Sequence, residues 1–419
     1  MRKIFINGNK PLQGEITISG AKNSALVILA ATILIPGKTV LRNVPNLLDI
    51  KTIIRVLRTL GLRAEYSASQ TNTVEIWNDN NIKHVAPYEL VTKMRASFFV
   101  IGPLLARKGL AKIPLPGGCA IGSRPVDLHI KGLEALGATV QMEHGFVIVS
   151  AKKLVGNRVY IDFPSVGATE TVMMAASLAE GETTIGNCAR EPEVIDLANF
   201  LNAAGAKITG AGTDEIHVQG VERLHPIEYR VIPDRIEAGT FMIAGAITKS
   251  RLTIKKLVPA HLESTITNLR EAGVVVDVGE DQVEVSVPNG IKPIDVKTMP
   301  YPGFPTDMQS QLTSLLCLAD GTSVVTETIF ENRFMHLHEL RRMGADIKIE
   351  GQSAIIHGVD KLSGAQVRVS DLRAGAALMV AGLAAEGETI LEDRDHHIER
   401  GYEHLINKLS AVGAEVKML

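Results

Sequence analysis

The stretch VDLHIKGLEALGATVQM, residues 126–142, sets the reading of the whole sequence. Its apolar side chains fall at helical spacing as far as Leu136. Gly137 then stands where a left-handed residue closes a helix, and a short strand follows. Five other stretches keep the same order: LLDIKTIIRVLRTLGLRAEY (47–66), VIDLANFLNAAGAKI (194–208), HLESTITNLREAGVVVDV (261–278), MHLHELRRMGADIKI (335–349) and YEHLINKLSAVGAEVKM (402–418). Their closing glycines are Gly61, Gly137, Gly205, Gly273, Gly344 and Gly413, 68 to 76 residues apart. Asp49, Asp127, Asp196 and Glu263 stand near the first turns, where acidic side chains suit a helix N-terminus; Asp49, Asp196 and Glu263 are expected to cap, while for Asp127 a functional role stays open.

Between these units runs a second recurring helix, Ala-rich and almost free of charge: Ala21–Ile35, Met94–Leu105, Ala168–Leu178, Ala238–Ile247, Met308–Leu318 and Ala374–Ala384. A helix apolar all round is buried. Each repeat therefore reads as strand, buried helix, strand, exposed helix and a hairpin such as AKITGAGTDEIHVQG (206–220). A period near 70 is too long for the common solenoids. The expected fold is α/β, six repeats in two groups of three, divided near Tyr229–Pro233, with a ligand site in the cleft between the two domains.

Some buried helices open on residues that a core would not choose. Lys22 and Asn23 follow SGA, Thr306 and Asp307 follow FP, Asp371 and Arg373 lie in SDLRA, and Ser165 with Gly167 opens the third copy. Helix N-termini bind anions, and a cation there adds charge. Ser19, Thr306 and Asp371 are equally suited to capping. Lys22 is not, because a cation opposes the helix dipole at that end. For Asp307 and Arg373 capping and ligand binding stay open. Arg95, on a largely apolar helix, either snorkels or points inward. Arg400, in HHIERGYEHL, reads on its own as a surface residue.

The most chemical stretch is IPLPGGCAIGSRPVDLH, residues 113–129. Its prolines and glycines exclude helix interior and central strand, so Cys119 belongs on a solvent-reachable loop. A thiol beside Arg124 and a helix N-terminus is where a reactive cysteine is expected; an incidental surface cysteine is the plainer reading. Cys188 and Cys317 read as structural. Three widely spaced cysteines among 419 residues exclude a disulfide framework, and His396–His397 lacks the spacing of a metal site, so no metal and no cofactor is expected. With 44 basic and 46 acidic side chains there is no basic field for nucleic acid. The N-terminus lacks a signal-peptide core, and the longest apolar run is too short to span a bilayer, which points to a cytoplasmic protein. No Walker A or dinucleotide fingerprint is present.

Taken together, SGAKNSAL, PGGCAIGSRPVDLH, SVGATE, FPTDMQ, IFENRF, DLRA and HIERGY resemble one family along the whole chain: the UDP-N-acetylglucosamine 1-carboxyvinyltransferases, enolpyruvyl transferases that open peptidoglycan synthesis. The resemblance implies a two-domain inside-out α/β barrel with three repeats per domain. The N-terminal domain would span 22–231, and 1–21 with 232–419 would form the C-terminal domain. It also implies site roles. Lys22, Arg124 and Arg400 would hold the phosphate of phosphoenolpyruvate, beside Asn23 and with Arg373. Cys119 would be the general acid, and Asp307 would face the sugar 3-hydroxyl. Arg95, the run Arg124, Pro125, Val126, Asp127 and Leu128, together with Ser165, Val166, Gly167 and Ile329, would line the nucleotide-sugar site. Phe163 departs from the pattern, standing where some members carry a base near the diphosphate. The alternatives are the related 3-phosphoshikimate enzyme, a non-catalytic repeat protein that binds a phosphorylated ligand and, weakened by the neutral charge balance, a nucleic-acid end-processing protein.

Overall fold

The computed structural model describes residues 2–92, 94–115 and 126–419. Cys119, Arg124 and Pro125 lie outside the described residues. The described residues form two compact units, one of 2–19 with 233–419 and one of 20–115 with 126–232.

All six closing glycines adopt left-handed φ, between 84° and 103°. The exposed helices they end run Leu48–Thr59, Asp127–Ala135, Pro192–Ala203, Glu263–Glu271, Met335–Arg342 and Leu405–Ala411. The buried helices are Lys22–Ala31, Ile101–Lys108, Val166–Ala176, Arg235–Ile247, Thr306–Leu316 and Leu372–Ala384. Small residues let them approach. A Cβ on Gly239 would meet Met308 Cε at 2.8 Å, and one on Gly102 would meet the Thr171 carbonyl oxygen at 2.6 Å. The second copy differs from expectation, because Arg95–Val100 is a 3-10 helix that becomes α only at Ile101. Pro103 lacks the N–H that would bond the residue 99 carbonyl, so it fits only the first turn of an α-helix.

Around these helices the described residues form six small sheets, five of four strands and one of three. In three of them the strand entering a buried helix runs parallel to the strand leaving it: Arg158–Tyr160 with Glu182–Gly186, Asp295–Lys297 with Thr322–Thr326, and Gln366–Arg368 with Glu388–Asp393. Two entering strands are exchanged. Gln13–Thr17 leads into the helix Lys22–Ala31 but pairs with Arg251–Lys255. Glu228–Arg230 leads into the helix Arg235–Ile247 but pairs with Gly37–Arg42. The sixth repeat has no hairpin of its own. Arg2–Asn7 lies antiparallel between Glu388–Asp393 and Glu415–Met418. The three-stranded sheet, Leu110–Pro114, Phe146–Ser150 and Thr139–Glu143, has only the isolated bridge Val85 to Lys112 on its open side.

Candidate active site

In the unit of 2–19 and 233–419, two buried helices bring opposite charges together at their N-termini. Asp307 is the second residue of Thr306–Leu316 and Arg373 the second of Leu372–Ala384. Arg373 Nη2 donates to Asp307 Oδ2 at 2.7 Å, and Arg333 Nη2 donates to Oδ1 at 2.8 Å. Both arginine side chains are 3% exposed, and that of Asp307 is 27% exposed. Burial alone would raise the Asp307 pKa, but the two guanidiniums overcome it and hold the carboxylate well below its ordinary range. The site thus presents a permanent anion whose two oxygens are already engaged.

Arg333 comes from the segment after the strand Thr322–Thr326, and Glu327 organises that segment. Its Oε1 accepts from the backbone N–H groups of Ile329 at 2.8 Å and Phe330 at 3.2 Å and from Thr298 Oγ1 at 3.0 Å. Its Oε2 accepts from Thr306 Oγ1 at 2.8 Å, and Thr306 Oγ1 accepts from Arg333 Nη1 at 3.0 Å. Capping is one of the two readings open for Thr306 in the sequence; its hydroxyl serves Glu327 instead. Asp371 does cap, accepting from the N–H groups of Arg373 at 2.9 Å and Ala374 at 3.0 Å. Arg400 lies on the short helix His397–Gly401, whose first N–H groups are taken by Asp393. That helix packs over the first turn of Leu372–Ala384: a Cβ on Gly401 would meet Leu372 Cδ1 at 3.0 Å.

In the other unit, Lys22 begins the first buried helix and is itself buried. Its Nζ lies 2.7 Å from Asp49 Oδ2, both side chains under 10% exposed. Asp49 was expected to cap; the helix start has no side-chain cap, and the carboxylate neutralises Lys22 instead. Asn23, beside it, is exposed. Asp196, also expected to cap, is buried within its helix, where it accepts from Ser24, from Tyr229 at 2.6 Å and from the Ile232 N–H at 3.3 Å. Asp127 and Glu263 open their helices without a side-chain cap bond.

Among the described residues, the helix start at Ser165–Gly167 and the helix that follows Val126 meet at His129. Ser165 caps the helix Val166–Ala176, accepting from the Ala168 N–H at 3.3 Å. A Cβ on Gly167 would lie 3.0 Å from His129 Cε1 and 3.3 Å from Phe99 Cε1, so the turn sits directly on the imidazole. His129 follows Val126, Asp127 and Leu128 on its helix, and its Nδ1 lies 2.9 Å from Thr171 Oγ1. Burial first, and the nearby Arg95 charge second, push its pKa down to about 3, so the ring is neutral. Ile329 is half-buried, in the unit that carries Asp307.

Reading the sequence left Arg333 as a motif residue with no role and Glu327 unnoticed. A charged pair, Glu327 and Arg333, bracketing TIFEN just after an apolar strand was the available signal.

Comparison with known proteins gives the following. The family profile described as EPSP synthase (3-phosphoshikimate 1-carboxyvinyltransferase) matches residues 6–409. A UDP-N-acetylglucosamine 1-carboxyvinyltransferase of Gloeobacter violaceus is 55% identical over 98% of this chain and 89% of its own. UDP-N-acetylglucosamine 1-carboxyvinyltransferase 2 of Carboxydothermus hydrogenoformans is 54% identical over 100% of this chain and 99% of its own. Among solved structures, the enolpyruvyl transferase NikO from Streptomyces tendae superposes with a TM-score of 0.89 at 26% identity, covering 100% of this chain and 98% of that one. EPSP synthase from Acinetobacter baumannii shares the fold, with a TM-score of 0.75 at 18% identity over the full length of both chains.

Proposed function

The chain belongs to the EPSP synthase family and, within it, to the UDP-N-acetylglucosamine 1-carboxyvinyltransferases, and from that membership we propose the roles of its residues in moving the enolpyruvyl group of phosphoenolpyruvate to the 3-hydroxyl of UDP-N-acetylglucosamine. The reaction is an addition followed by an elimination. A proton delivered to carbon three makes carbon two electrophilic, and the 3-oxygen of the sugar bonds to it while losing its own proton. Carbon three then gives up a proton, the bond from carbon two to the phosphate oxygen breaks, and phosphate leaves. The product opens peptidoglycan synthesis.

The observation that carries the reading is Asp307 between Arg333 and Arg373. A fixed anion can stabilise the cationic character at carbon two, and a carboxylate facing the 3-hydroxyl can take its proton. Held by both arginines, Asp307 is a weak base. A substrate anion that draws Arg373 away removes part of that hold, and basicity returns when the substrates are bound. Lys22, Arg124 and Arg400, with Asn23, take the leaving phosphate, and Cys119 delivers the proton to carbon three. Arg95, the residues 124–128, Ser165, Val166, Gly167 and Ile329 take the nucleotide sugar. Phe163 is 46% exposed where some relatives carry a base, so the proposed diphosphate contacts there rest on backbone N–H groups at the helix start Ser165–Gly167. Both substrates are small soluble anions, and among the described residues no helix is long and apolar enough to cross a membrane. The cytoplasm is the proposed location.

Phosphate release from phosphoenolpyruvate, measured with UDP-N-acetylglucosamine and separately with shikimate 3-phosphate, tests the reading. Turnover with the nucleotide sugar alone is expected. Turnover with shikimate 3-phosphate would move the chain to the other branch of its family, and binding of the nucleotide sugar without any phosphate release would leave a binding protein.

A further inference from the structure

We infer that Glu327 is a positioning residue that ties the nucleotide-sugar wall at Ile329 to the carboxylate centre at Asp307. The inference rests on the reading above, in which Ile329 lines the nucleotide-sugar site and Asp307 faces the 3-hydroxyl. Glu327 is 1% exposed, yet four donors from three separate stretches of the chain converge on it. One oxygen holds the backbone turn that presents Ile329, and the other holds the hydroxyl of Thr306, the residue before Asp307.

The directions of these bonds matter more than their number. An ionised carboxylate only accepts, so Thr306 must spend its single proton on Glu327. Its lone pairs then face Arg333 Nη1, which fixes that guanidinium with Nη2 on Asp307. Thr298 behaves in the same way, donating to Glu327 and accepting from the Thr328 N–H at 2.9 Å. The charge of Glu327 also lies one hydroxyl away from Arg333, sharing the neutralisation of that buried cation with Asp307. A residue that merely ended the strand Thr322–Thr326 would need neither arm.

Steady-state kinetics of the full chain separate the two arms. Glu327→Gln keeps an amide oxygen for the Ile329 and Phe330 N–H groups but turns a donor toward Thr306. It is expected to keep the nucleotide-sugar KM within about threefold while kcat falls by about tenfold, the worth of one hydrogen bond. Glu327→Ala loses both arms and is expected to raise the nucleotide-sugar KM by about tenfold, leaving that of phosphoenolpyruvate within about twofold. A role confined to folding would lower the melting temperature and the active fraction without splitting the two KM values. Parent-like kcat in Glu327→Gln overturns the inference, as does a Glu327→Ala enzyme whose two KM values stay put or rise together. If Glu327→Ala does not fold, the Glu327→Gln result decides. Ile329→Ala serves as the control on the underlying reading. An unchanged nucleotide-sugar KM there overturns the reading and the inference with it, whereas a raised KM there beside an unresponsive Glu327 overturns the inference alone.

Discussion

A carboxylate gripped by two guanidiniums is a stable anion and a poor base, and the role proposed for Asp307 asks it to be both anion and base in turn. Its depressed pKa stabilises the fold above the ordinary carboxylate value of about 4, and that contribution is lost as pH falls through the lower folded value. In the free enzyme, then, the acid limb of kcat/KM due to Asp307 lies far down. If the substrate anion draws Arg373 off, the matching limb of kcat, which reports the bound state, is expected at higher pH; coincident limbs would show that Arg373 stays where it is. Asp307→Asn is expected to lower kcat by about a hundredfold or more with binding less affected. It should also cost about 2–4 kcal/mol of stability, because Arg333 and Arg373 stay buried without their anion. A variant within about threefold of the parent rate would remove Asp307 from the mechanism. Cysteine chemistry divides just as sharply. Burial pushes the thiols of Cys188 and Cys317 up to about 11 and about 12, which leaves both unreactive near neutral pH. Cys119 is therefore expected to alkylate first and to be the site at which the epoxide phosphonate fosfomycin inactivates the enzyme, faster with UDP-N-acetylglucosamine present. Mass spectrometry that found the label on Cys188 or Cys317, with Cys119 unmodified, would contradict this.

At the scale of elements, a polar clamp ties helices together within the unit of 2–19 and 233–419. Lys408, on Leu405–Ala411, donates to Glu237 Oε1 at 2.6 Å and to Ser19 Oγ at 2.7 Å, while the Ser19 N–H donates to Glu237 Oε2 at 2.7 Å. Burial pushes Glu237 up to about 7, Lys408 and the Ser19 N–H oppose this, and Asp234 adds to it. The folded chain thus keeps a proton that the unfolded chain releases near pH 4.3. Stability contributed here falls as pH rises through that window and levels off above about 7. Denaturant titrations of the parent and of Glu237→Gln between pH 5 and 8 are expected to show this slope in the parent alone; parallel curves would place the Glu237 pKa elsewhere. The helices and their closing glycines were legible in the sequence because periodicity and left-handed φ are local properties. The acidic residues show the limit of such reading. Asp49 and Asp196 stand near helix starts, as caps do, but their partners lie on another helix, Lys22 in the same repeat as Asp49 and Ser24 in a different repeat from Asp196, and no local pattern announces either contact.

For the whole molecule, repetition made the architecture legible and also hid part of it. Six similar units predict six similar sheets, but nothing in a short strand states which sheet it joins. The exchange of Gln13–Thr17 and Glu228–Arg230, and the insertion of Arg2–Asn7 into the last sheet, followed from no periodicity. The unusual motifs FPTDMQ and DLRA singled out Asp307 and Arg373, and these two side chains meet directly. The place of Arg333 was illegible, because it meets Asp307 through a network that no motif announces. Family membership and the charged centre lead to one claim: phosphate leaves phosphoenolpyruvate only when the 3-oxygen of the sugar has added to carbon two. Phosphate release should be measured with UDP-N-acetylglucosamine, with its 3-deoxy analogue, and with no acceptor. The account predicts release in step with formation of the 3-enolpyruvyl ether for the first, and none for the other two. Equal release from the 3-deoxy analogue, or without any acceptor, would contradict it.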